Sequence, residues 1–185
     1  PVAYKKIEFL LTSSKARMNK KQVKEKLNDF LLKYIYSERL KFAPTEEILS
    51  FYLAQIDTLK YYRGIDKVSC FNYMFPQFKE EVNLKSIPEE VKLKMSRAIE
   101  EVIESSYKNP ITRDPYNFSA EKGFLEVRTN LFEKYGDKVN LMSNPQKLKS
   151  EEDKYLICDI SIDFYSEILK LNKEDASSIL SSLLD

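Results

Sequence analysis

An all-α fold follows from three observations on the 185-residue chain. Helix-start and helix-stop residues recur along its length, and apolar residues repeat at helical spacing between them. Alternating, strand-like runs are sparse. The expected architecture is a bundle of about seven to nine helices with a helical C-terminal extension. Residues 1–19 read as a basic N-terminal segment, 20–148 as the helical domain and 149–185 as the extension.

Asn19 can cap a first helix over 20–38, with Gln22 three residues later and Val23, Leu27, Phe30, Leu31, Tyr34 and Ile35 as its apolar stripe. Pro44-Thr45-Glu46-Glu47 opens a second helix running to about Gly64, with Ile48, Leu49, Tyr52, Leu53, Ile56 and Leu59 expected inward. A short helix over 67–75 is stopped by Pro76. Ser86-Ile87-Pro88-Glu89 is the clearest start signal, a serine acceptor followed by a proline in the first turn. Val91, Met95, Ile99, Val102 and Ile103 carry that helix to about Ser106.

Pro110 and Pro115 hold their predecessors out of the helical region, so 109–115 is a loop. Ser119 is expected to cap the next helix, with Phe124, Leu125, Leu131, Phe132 and Tyr135 on its inner side and Gly136 as its stop. Ser150 and three acidic residues start another element. Residues 156–164 fit both periods; the continuation to Leu171 and the acidic first turn favour helix. Asn172 then caps a last short helix bearing Ile179, Leu180, Leu183 and Leu184.

Composition removes several chemistries. The chain has no histidine, which excludes Ser-His-Asp and Cys-His relays and imidazole metal ligands. Three scattered glycines cannot form a Walker A or dinucleotide-binding turn. Twelve tyrosines and eleven phenylalanines argue against disorder, and no apolar run approaches the roughly 18 residues of a membrane span. Cys70 and Cys158 cannot build a zinc site, do not suggest a secreted disulfide framework, and sit among apolar neighbours as small buried hydrophobes would. No cofactor is expected.

Charge is uneven. Residues 1–40 hold ten Lys/Arg against four Asp/Glu, hence +6, and the remainder is −5. A basic end can meet an anionic membrane surface or an acidic protein face. Nucleic acid is not the expected partner, because no aromatic platform is interleaved with Lys20, Lys21, Lys24 and Lys26. Carboxylates offer the one enzymatic reading: Glu101 and Glu104 on one helix and Asp159 and Asp163 on another could together ligate Mg²⁺ in an all-α phosphohydrolase. Lys92, Lys94 and Arg97 share the first of these helices, so ordinary surface charge alternation explains its acids as well.

Taken in order, residues 27–145 resemble the RGS box, the helical domain of regulators of G-protein signalling. Leu27-Asn28-Asp29-Phe30-Leu31 is similar to that family's phenylalanine-rich early helix. Thr45-Glu46-Glu47-Ile48-Leu49-Ser50-Phe51-Tyr52 resembles its Ser-Glu-Glu-Asn-x-x-Phe-Trp run, and Glu81-Val82-Asn83-Leu84-Lys85-Ser86 its Glu-Val-Asn-Leu-Asp-Ser loop. Phe118-Ser119-Ala120 stands where the family has Phe-Asp-Glu, and Leu131-Phe132-Glu133-Lys134 through Asn140-Leu141-Met142-Ser143 follows its closing pattern.

The resemblance implies a cytoplasmic protein-binding domain, in signalling or attached to a membrane, that binds another partner or a Gα subunit, which the family holds in its hydrolysing conformation. It assigns partner contact to Glu47, Asn83, Lys85, Tyr135 and Val139, with Asn83 as the residue that steadies the partner's glutamine. Departures are also legible: Ile48 replaces the hallmark asparagine, Tyr52 the tryptophan and Lys85 the loop aspartate, while Tyr135 and Val139 stand at charged contact positions. Losing such anchors costs an interface several kcal/mol, so strong GTPase activation is not expected. A third reading, without G proteins, is a helical oligomer joined through 150–185.

Overall fold

The computed structural model describes residues 34, 38–66, 68–75, 87–114, 117–145, 148 and 150–183. The expected first helix, the Ser86 cap and the 81–86 loop lie outside them, apart from Tyr34 and residue 38. The described residues are all-helical and contain no strand. They form six α-helices: α1 (Thr45–Ile65), α2 (Ser69–Met74), α3 (Glu89–Lys108), α4 (Phe118–Tyr135), α5 (Glu151–Ile168) and α6 (Lys173–Ser182). Two 3-10 helices, Leu40–Phe42 and Gly136–Ser143, complete them.

Helix α1 is central because its apolar residues go round it rather than along one side. Ile48, Phe51, Tyr52, Ala54, Ile56, Leu59 and Tyr62 are all buried, and α2, α3, α5 and α6 each pack on α1. Leu53, expected inward, is half exposed, and Phe51 takes the buried place instead. Helix α3 presents a narrower stripe, Ala98, Val102 and Ser106, at four-residue spacing. Glu46 and Glu47 open α1 and Arg63 stands in its last turn, so its charges oppose the helix dipole at both ends.

Side-chain caps set the later boundaries. Ser150 accepts from the Asp153 amide and Asn172 from the Asp175 amide, both at the expected positions. In α4 the cap is Asn117, accepting from the Ser119 and Ala120 amides, so the helix starts before the serine that the sequence suggested. Ser119 instead donates to Asp175 at 2.6 Å and ties α4 to α6. Gly136 ends α4 with φ +58°, a conformation that other residues rarely adopt.

Helices α5 and α6 share the interior with the rest. Ile168, Ile179 and Leu180 join the main cluster around Ile48, Phe51 and Val102. Ile162 and Cys158 join a second cluster with Ile56, Leu59, Tyr62 and Cys70. The buried Tyr52 hydroxyl donates to the Leu180 carbonyl at 3.1 Å, so α1 and α6 are joined by a hydrogen bond as well as by packing. Among the described residues no helix is long and apolar enough to cross a membrane.

Candidate functional site

Of the five residues assigned to a partner, three are described, and each of these is half-buried. Asn83 and Lys85 lie outside the described residues. Glu47 is half-buried in the first turn of α1. Tyr135 closes α4 and donates its hydroxyl to Asp163 at 2.6 Å, and burial pushes its pKa up to about 12. Val139 is half-buried in the second 3-10 helix and packs against the main core.

The four candidate metal ligands are each engaged otherwise or exposed alone. Arg63 donates to both Asp159 oxygens, at 2.6 and 3.1 Å, and its guanidinium lies 3.6 Å from the centre of the Tyr155 ring. That fork-on-carboxylate geometry, backed by an aromatic face, is what arginine makes and lysine cannot. Asp163 accepts from Lys134 and Tyr135. Burial alone would raise its pKa; the two hydrogen bonds and the lysine charge outweigh it and hold the carboxyl below its ordinary value. Glu104 pairs with Lys108 one turn along α3, and Glu101 is exposed. Among the described residues no group of acidic or cysteine side chains could hold a metal ion.

Two features went unread in the sequence. Cys70 and Cys158 are not separate small hydrophobes: they form a disulfide between α2 and α5, with Cα atoms 5.9 Å apart and both residues buried. Two cysteines 88 positions apart carry no spacing signal, so only the packing of α2 on α5 reveals the pair.

The other feature is the orientation of α4. Its buried residues are Ala120, Gly123, Val127 and Leu131, at spacings of three and four. A Cβ added to Gly123 would stand 2.9 Å from the Leu171 side chain, so α4 seats closely against the turn before α6. Seating the small residues turns large ones outward: Phe118 is 77% exposed, Leu125 55% and Phe132 36%. Leu125 and Phe132 were expected inward. A shallow hollow lies between them, edged by Arg128, Thr129 and Glu133. These three large apolar side chains stand in line on the outer side of α4.

Comparison with protein-family models, with curated proteins and with solved structures finds no match for the chain.

Proposed function

We propose that the chain is a helical module that acts by binding another protein, in signalling or in membrane-associated organisation. The observation that supports this is the outward row Phe118, Leu125 and Phe132 on α4. The side chains first considered for catalysis, Asp159 and Asp163, are ion-paired within the chain and hold α5 to α1 and α4. A binding module needs no imidazole and no phosphate cradle of its own. The basic stretch within residues 1–40 would add attraction to an anionic membrane surface.

The finer form of the reading is an RGS-like domain with weak or absent GTPase activation. Its support is the order of the matching segments, centred on Glu81-Val82-Asn83-Leu84. Two departures from the family pattern are taken up inside the molecule: Ile48 is fully buried and the Tyr135 hydroxyl is committed to Asp163. Glu47 and Asn83 would therefore carry most of the effect. The Cys70–Cys158 bond adds a condition, since a partner in the reducing cytosol would meet both residues as thiols.

Single-turnover GTP hydrolysis by Gα, with the chain oxidised and reduced, tests this form. The expected outcome is a small acceleration that Asn83→Ala abolishes. Equal rates with and without the chain remove GTPase activation from the reading.

A further inference from the structure

Helix α2 cannot stand alone. Six residues are too few to be helical in water, so the helix exists through what it packs on, α1 and α5. Cys70 and Phe71 are its buried apolar residues. Tyr73 stacks on Tyr62 of α1, with ring centres 4.8 Å apart, and donates to the Gln55 side chain at 3.2 Å. Lys154 of α5 lies over the Phe71 ring. The Cys70–Cys158 bond fixes the helix covalently to α5. The main cluster around Ile48, Phe51 and Val102 includes no residue of α2, so α2 can leave without breaking it.

One group beneath α2 gains by its leaving. The Tyr62 hydroxyl is buried and has no hydrogen-bond partner among the described residues. Such a hydroxyl has given up its water and received nothing in exchange. Tyr62 shares the second cluster with Cys70, Cys158, Ile56 and Leu59. Lifting Tyr73 off its ring returns the hydroxyl to solvent. Two separate observations, a covalent tie and an unpaired polar group under it, thus meet at the same short helix.

We propose that the Cys70–Cys158 bond is a redox latch on α2. Intact, it holds α2 over Tyr62. Opened by a dithiol reductant, it frees α2 to lift from α1 and α5 while the main cluster stays folded, and the Tyr62 hydroxyl favours the lifted state. The exchange balances. One reductant thiolate attacks a sulfur of the bond, giving a mixed disulfide and a cysteine thiolate that takes a proton. The second reductant thiol displaces the other cysteine, so the chain gains two electrons and two protons and the reductant becomes a disulfide.

Burial sets the pace. Both cysteines are buried, so attack waits on a partial opening of α2 and release is slow. The lifted state presents Ile56, Leu59 and Tyr62, an apolar face on the second half of α1. The latch makes that face conditional on redox state, whichever partner the chain binds.

Amide hydrogen exchange of the full chain, read by NMR with and without a dithiol, tests the latch. The Asn72 and Phe75 amides donate to the Val68 and Phe71 carbonyls, both at 2.9 Å, and report on α2. In the reduced protein they should exchange about 100-fold faster than the amides of Tyr52 and Val102, with only a weak dependence on urea. In the oxidised protein the two sets should agree within about tenfold. The double variant Cys70→Ser with Cys158→Ser should behave as the reduced protein without any reductant. Tyr62→Phe keeps the ring and drops the hydroxyl, and should make the opening of α2 in the reduced protein about tenfold rarer. A reduced protein whose amides all exchange at one steeply urea-dependent rate, or which loses its far-UV helical signal, overturns the latch and makes the bond a staple of the whole fold. Amides of α2 as protected after reduction as before overturn it too, as do free thiols in the denatured, unreduced chain. An unchanged opening in Tyr62→Phe overturns the part given to the hydroxyl.

Discussion

Asp159 and Asp163 show what a single residue discloses in sequence and what it conceals. Their four-residue spacing in an apolar stretch marks them as unusual, and they are; what faces them is invisible, because Arg63 and Lys134 come from other helices. The carboxylates therefore read as metal ligands when they are halves of ion pairs. Asp163 gives a pH-dependent consequence. Its folded pKa lies below the unfolded value near 3.8, so its contribution is complete above that value and is lost as pH falls through the folded one. Its side chain is 29% exposed, and Asp163→Asn should cost about 1–2 kcal/mol at neutral pH. The difference from wild type should shrink as pH drops below the ordinary carboxylate range. Urea melts of both proteins at neutral and acidic pH measure it, and a constant difference would deny the carboxylate its charged role.

At the scale of elements, most helices were legible and one face was not. Caps at Ser150 and Asn172, the proline-bounded loop after α3 and the glycine stop of α4 are local chemistry, which sequence carries directly. The inner face of α4 depends on the neighbour it meets. Large apolar residues suggested the stripe through Leu125 and Phe132, whereas close approach to α6 favoured the one through Ala120, Gly123 and Val127. Hydrophobicity ranks residues; helix-to-helix distance chose between the stripes. The glycines carry opposite predictions. Gly136 holds φ +58° and ψ −146°, so Gly136→Ala should cost about 1–3 kcal/mol even though a methyl group has open space there. Gly64 sits in the last turn of α1 with nothing near a Cβ, and Gly64→Ala should add about 0.4–1 kcal/mol through the unfolded chain. Thermal melts of the two variants should move in opposite directions.

For the molecule as a whole, the all-helical class was legible because helical spacing and caps agree along the chain, while the joining of its parts was not. Residues 149–185 read as an extension packed on the domain or on a partner copy, and spacing alone could not choose between the two; Ile168, Ile179 and Leu180 lie in the same cluster as Ile48 and Phe51. The disulfide fastens the second cluster in the same way, holding short α2 to α5 beside Tyr62 and Leu59. It closes a loop with a sequence separation of 88, for which the chain-entropy model gives about 4–5 kcal/mol of stabilisation. That is a large share of the roughly 5–15 kcal/mol by which domains are ordinarily stable. Thiol titration of the denatured, unreduced protein should find no free thiol, and reduction should lower the urea midpoint substantially. The double variant Cys70→Ser with Cys158→Ser should match the reduced protein rather than the oxidised one. Two titratable thiols in the denatured, unreduced protein would return both cysteines to the role of small buried hydrophobes.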